Sequence, residues 1–159
     1  NVALVGDLRY GRTVHSLSEA LARFGCTLTF ISPSSLSMPE EIVSDLRNSG
    51  VSILETEDLH GSIENLDVIY MTRIQKERFP DEDEYHKVAG VFKLNRSDLN
   101  SAKKNMIIMH PLPRVDEISA DVDSTVHAKY FEQAFYGVVA RMSLLCRLLG
   151  VEIPEVVGE

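Results

Sequence analysis

Short apolar runs rich in β-branched residues recur along this chain, at residues 2–5, 26–31, 51–54, 67–71 and 106–109, with helical patterns between them. This alternation is its strongest constraint. Most of the runs are nearly all apolar rather than alternating, as strands buried on both faces require. From 12 to 24 the apolar positions Val14, Leu17, Ala20, Leu21 and Phe24 form a one-sided stripe at helical spacing, and Gly25 supplies a stop. Pro39 opens the next helix at its first helical position, with Ile42, Val43 and Leu46 as its buried face before Gly50. A weaker helix spans 57–65, interrupted by Gly61, and another spans 97–104 with Ser97 as N-cap. The strongest helical pattern comes last: Phe131, Ala134, Phe135, Val138, Val139, Met142, Leu145 and Leu149 recur every three or four residues before Gly150.

Strand–helix alternation with helix-length crossovers implies an α/β fold: a three-layer, doubly wound, Rossmann-like sheet. We expect a mostly parallel sheet of about five strands, helices on both faces, and one domain over 1–159 with a self-contained core. The irregular stretches 72–90 and 111–123 both follow strands, which puts them at the carboxyl edge of the sheet, where open α/β sheets bind ligands.

Charge and composition narrow the partners. With 16 Lys and Arg against 24 Asp and Glu, the net charge of −8 disfavours binding to a phosphate backbone, so no nucleic-acid partner is expected. No apolar run reaches the roughly 20 residues of a membrane span, and the greasiest stretch, 138–149, is broken by Arg141, Ser143 and Arg147. No signal-peptide pattern is visible. Cys26 and Cys146 form no motif and read as reduced, buried thiols, which suits the cytoplasm. Because the chain opens at Asn1 directly on a strand-like run, it reads as a domain of something longer.

Three segments carry candidate chemistry. Gly6-Asp7-Leu8-Arg9-Tyr10-Gly11-Arg12-Thr13 nearly spells a nucleotide-binding phosphate loop, but Arg12 replaces the lysine and no strand ends in a magnesium-binding acid. What remains is an anion site at a helix N-terminus bearing Arg12 and Thr13, or else a tight turn at Gly11 with Arg12 on the surface. In Thr72-Arg73-Ile74-Gln75-Lys76-Glu77-Arg78, extended backbone sends Arg73 and Gln75 to one side, where they can grip a carboxylate while Glu77 steadies Arg73 or Arg78. The alternative is a solvated loop. In His110-Pro111-Leu112-Pro113-Arg114-Val115-Asp116-Glu117 two prolines stiffen the chain and leave carbonyls available to accept from an amine or amide. His110 reads as a satisfied histidine closing a strand rather than as a catalyst. His15, His60, His86 and His127 lack metal-ligand spacing. No nucleophile, metal or cofactor is expected.

Those three motifs, in that order, closely resemble the aspartate carbamoyltransferases, and the likeness runs through nearly the whole chain to the helix near Tyr130-Phe131. The match is to the carboxyl-terminal, aspartate-binding half of the catalytic chain. The resemblance implies carbamoyl transfer from carbamoyl phosphate to L-aspartate in pyrimidine biosynthesis, and a cytoplasmic homotrimer in the intact enzyme. It leaves regulatory chains and fusion partners open. Carried over, Arg12 and Arg73 match the arginines that bind aspartate carboxylates, with Gln75 beside them. Pro111 and Leu112 match the positions whose carbonyls face the reacting groups. Glu77 matches the acid orienting the substrate arginine. Arg78 belongs to the same supporting set. Glu84 and Tyr85 match closure-loop residues, with Arg9, Tyr10 and Asp116 as their partners, and 78–90 is expected to order on ligand binding. The carbamoyl-phosphate half is absent, so this chain is expected to be catalytically incomplete. An ornithine carbamoyltransferase would carry cysteine where this chain has Pro111; a non-catalytic amino-acid- or partner-binding module is the other alternative.

Overall fold

The computed structural model describes residues 1–74, 85 and 92–151. Within them, β1 (Val2–Val5), β2 (Leu28–Ile31), β3 (Ile53–Thr56), β4 (Val68–Met71) and β5 (Ile107–Met109) form one all-parallel sheet in the order β3-β2-β1-β4-β5. The side-chain period of two then builds two cores. Val2 and Leu4 of β1, Leu28 and Phe30 of β2 and Tyr70 of β4 point to one face. There they meet Val14 of α1 (Arg12–Ala22) and Val43 and Leu46 of α2 (Glu40–Asn48). Ala3, Val5, Ile31, Ile69 and Met71 point to the other face, against Leu59 of the short α3 (Leu59–Ser62), Ile63, Leu99, Val122 and Tyr130. The doubly wound, Rossmann-like expectation holds.

Several details differ from the sequence reading. Strand β3 lies two residues later than the apolar run suggests, and as an edge strand it is only partly covered: Leu54 is 57% exposed. Pro39 caps α2 rather than starting it; its carbonyl accepts the amides of Ile42 and Val43. The stripe of α1 is Val14 and Ser18, flanked by half-buried Leu17 and Leu21, whereas Ala20 and Phe24 face solvent. Ser18 escapes a hydropathy reading, yet it is buried with its hydroxyl satisfied by donation to the His15 carbonyl at 2.7 Å. The expected helix over 97–104 is a 3-10 turn, Arg96–Ser101, capped two residues earlier than Ser97 by a reciprocal Asn95–Asp98 capping box. The weaker helix is α3 followed by a 3-10 turn, Ile63–Asn65, with Asp58 accepting the Gly61 amide as N-cap. Both cysteines are half-buried free thiols, not buried ones.

The largest departure is α4 (Tyr130–Leu148). Only Tyr130, in its first turn, is buried; Phe131, Phe135, Val138, Val139, Met142, Leu145 and Leu149 are all exposed. The helix forms as its pattern requires, but its apolar surface is not part of this domain's core. No helix among the described residues is long and apolar enough to cross a membrane.

Candidate functional site

In the strand order the chain leaves β1 toward β2 on one side and later adds β4 and β5 on the other, so the loops after β1 and β4 diverge and open a crevice. An open cleft of about 200 Å³ occupies that point. Asp7, Gly11 and Thr13 line it from the β1–α1 connection, Thr72 and Arg73 from the end of β4, and His110 to Pro113 from the end of β5. All three sequence segments therefore meet at one place.

The walls are fixed by backbone geometry. Gly6 has φ of 111°, and a Cβ there would lie 2.3 Å from the Thr72 carbonyl oxygen. Thr72 is stitched to β1 through both its amide and its hydroxyl, which donate to the Val5 carbonyl at 2.8 and 2.9 Å. Glycine at position 6 thus lets the ends of β1 and β4 close up. Asp7 is buried, and one carboxylate oxygen accepts the Tyr10 amide at 2.9 Å, shaping the turn into α1. No side chain among the described residues caps α1, whose N-cap is Gly11, so the positive end of the helix dipole faces the cleft beside Arg73. An anionic group is favoured there.

The third wall is braced from behind. His110 is 1% exposed. Its Nδ1 accepts the Leu112 amide at 2.8 Å, which leaves Nε2 as the ring donor, 2.6 Å from Glu117 Oε1. The other Glu117 oxygen accepts the amides of Val115 and Asp116 at 3.1 Å. Burial pushes the Glu117 carboxyl up, but the His110 hydrogen bond and the amide donors outweigh it and leave the carboxyl below its ordinary value. Leu112 has φ of 55°, the left-handed region, and its bond to Pro113 is cis. Farther along, Arg114 forms a two-pronged ion pair with Asp123 and stacks on the rings of Tyr130 and Phe131, while the Tyr130 hydroxyl donates to Asp123. The proline segment is thereby tied to the first turn of α4. Gln133 adds a second tie by accepting the His110 amide at 2.9 Å.

Of the residues singled out from sequence, Arg73, Pro111 and Leu112 share the cleft. Arg12 opens α1 but is exposed and does not line the cleft, although its neighbours Gly11 and Thr13 do. Tyr85 and Asp116 line a second, much smaller cavity of about 20 Å³ with Gly6, Thr72 and Glu117, so those two are brought together. Arg9 lies on the surface, reaching the Ser35 carbonyl and stacking on the Tyr10 ring at 5.5 Å. Gln75, Glu77, Arg78 and Glu84, and the 78–90 segment apart from Tyr85, fall outside the described residues. Sequence reasoning passed over Asp7 and Thr72 as lining residues and Glu117 as the partner of His110. Only the strand-end position of Asp7 and Thr72 signalled them.

The chain resembles known proteins throughout. A family model described as "Aspartate/ornithine carbamoyltransferase, Asp/Orn binding domain" matches residues 1–148. The aspartate carbamoyltransferase catalytic subunit of Methanocella arvoryzae is 55% identical over 153 residues, covering 96% of this chain and 50% of the relative. That of Thermococcus kodakarensis is 57% identical over 150 residues, covering 94% and 48%. The solved catalytic subunit of M. jannaschii aspartate transcarbamoylase superposes with a TM-score of 0.87 at 50% identity, covering 94% of this chain and 50% of that one. The Trypanosoma cruzi aspartate transcarbamoylase, solved with carbamoyl phosphate and aspartate, gives 0.83 at 39% identity, covering 91% and 48%. The chain spans about half the length of the curated relatives it matches.

Proposed function

Because the chain belongs to the aspartate/ornithine carbamoyltransferase family, as its Asp/Orn-binding domain, we propose that it is the acceptor half of an aspartate carbamoyltransferase, holding L-aspartate for carbamoylation by carbamoyl phosphate in pyrimidine biosynthesis. One observation carries this reading: Arg73, the N-terminal end of α1 and the proline-bracketed segment 111–113 converge on a single cleft at the switch point of the sheet. A dicarboxylate amino acid needs cationic groups for its carboxylates and acceptors for its amine. In this proposal Arg73 and Arg12, with Gln75, grip the carboxylates. Carbonyls of Pro111 and Leu112 accept from the amine. Glu77 and Arg78 support that grip; Glu84, Tyr85, Arg9, Tyr10 and Asp116 serve closure. Pro111, where an ornithine enzyme would carry cysteine, favours aspartate over ornithine.

The amine attacks the carbamoyl carbon, the C–O bond to phosphate breaks, and the amine's proton leaves with the phosphate. No group of this chain is a nucleophile in that exchange. Its contribution is to hold the acceptor amine in line and dry. The donor's phosphate needs a second half, and the exposed apolar surface of α4 is the face we assign to packing against the rest of the enzyme. The intact enzyme is read as a cytoplasmic homotrimer. The test is formation of N-carbamoylaspartate by this chain alone, by a separately expressed donor half alone, and by the two mixed. Product is expected only from the mixture. Substantial turnover by this chain alone, free of contaminating enzyme, would overturn the assignment.

A further inference from the structure

A leucine in the left-handed region is strained, because its Cβ crowds the following carbonyl oxygen, and Leu112 adopts that conformation in the wall of the cleft. Something must hold it there. The groups in place are buried and paired: the Leu112 amide donates to His110 Nδ1 at 2.8 Å, and His110 Nε2 donates to Glu117 Oε1 at 2.6 Å. A hydrogen on Nδ1 would break the first contact, so the pair works only with the neutral ring in its Nε2–H form. Glu117 enforces that form as an acceptor facing Nε2.

We propose that His110 and Glu117 are a positioning pair for the carbamoyl transfer, in which Glu117 selects the Nε2–H tautomer and His110 Nδ1 holds Leu112 so that the 111–112 carbonyls meet the acceptor amine. This rests on the reading of the cleft as the acceptor site. Neither residue touches the substrate in this scheme. The carboxylate grip of Arg73 is separate, so loss of the pair misplaces the amine without releasing aspartate.

Two isosteres divide the two ring nitrogens. In the full-length enzyme, H110N keeps an acceptor near the Nδ1 position, and H110Q keeps a donor near Nε2 but removes the acceptor. H110Q is expected to lower kcat about 10- to 100-fold, with the apparent KM for aspartate changed less than about threefold; H110N recovers most of the lost rate at a comparable melting temperature. Equal losses in both variants, or a loss confined to KM, would overturn the proposal. A second measurement needs no variant: nitrogen chemical shifts of the wild-type imidazole at neutral pH are expected to report the Nε2–H tautomer. A ring carrying a proton on Nδ1 sinks the idea regardless of how the variants fold. A wild-type enzyme that forms no N-carbamoylaspartate would instead defeat the functional reading, and the tautomer result would stand apart from it.

Discussion

Helices α1 and α4 both show apolar residues at three- and four-residue spacing, and the fold uses them in opposite ways. In α1 the stripe is narrow. Val14 is fully buried, Leu17 and Leu21 pack beside it, and Glu19 and Arg23 keep the far side polar. In α4 the apolar residues wrap around the helix: Phe135 and Met142 lie on one side, Tyr136, Leu144 and Leu148 on others, and all are more than half exposed. A narrow stripe needs one partner surface, which the sheet supplies. A helix that is apolar on several sides needs cover on several sides, and one domain edge cannot give it. The width of the stripe, not its periodicity, separates a helix that this core covers from one that it leaves exposed.

Matched charge insertions break that comparison if it is wrong. Val14→Asp buries a carboxylate with no partner against the sheet and is expected to cost about 4 kcal/mol or more, enough to unfold the domain. Leu145→Asp, placed on the exposed surface of α4, is expected to change the stability of this chain by less than about 0.5 kcal/mol. It should nevertheless abolish the rescue of activity by a donor half. Urea denaturation of the two variants, followed by the mixing assay, separates the effects. If Leu145→Asp unfolds the chain, α4 belongs to this core after all.

The cleft lies on the self-sufficient side of the comparison, so a change there should alter the acceptor alone. Arg73→Lys keeps the charge and loses the planar fork. The expected result in the full-length enzyme is a rise of roughly ten- to a hundred-fold in the aspartate requirement, from the 1.5–3 kcal/mol of a charge-assisted contact. Donor-half docking and melting temperature should stay put. Steady-state kinetics at varied aspartate would remove Arg73 from the site by returning an unchanged Michaelis constant and rate.

How much of this could be read beforehand follows from the range of the forces involved. The parallel sheet, covered on both faces, was legible because strands buried on both sides leave nearly unbroken apolar runs, as in residues 2–5, and these need no knowledge of neighbours. Arg73, Pro111 and Leu112 were legible because strand-end position and residue chemistry both pointed to them. Asp7 was not: its role rests on the Tyr10 amide and a buried position that only the assembled turn creates. Glu117 was missed for a similar reason, since a carboxylate seven residues from His110 gives no sign of folding back onto it. The fate of α4 was misjudged because periodicity reports which residues will be buried but not by what.

Tyr130 joins the two regions, and it carries the smallest expected effect. Its ring is buried at the root of α4, and its hydroxyl is shared with Asp123 and Arg114. Burial, reinforced by the hydrogen bond to the Asp123 carboxylate, raises the phenol to about 12 from an ordinary value of 10.0. The folded state therefore keeps its proton where the unfolded chain has lost it, so this contribution is complete below pH 10 and declines as pH climbs toward 12. Tyr130→Phe removes the hydroxyl but leaves Asp123 paired with Arg114, and should cost about 1 kcal/mol at pH 7. Because phenylalanine does not titrate, the gap between wild type and variant should close by about 1 kcal/mol between pH 9 and pH 11. Urea midpoints measured at both values check this. A gap that stays constant would mean that the hydroxyl does not link the proline segment to the helix, and that the first turn of α4 is held by ring packing alone.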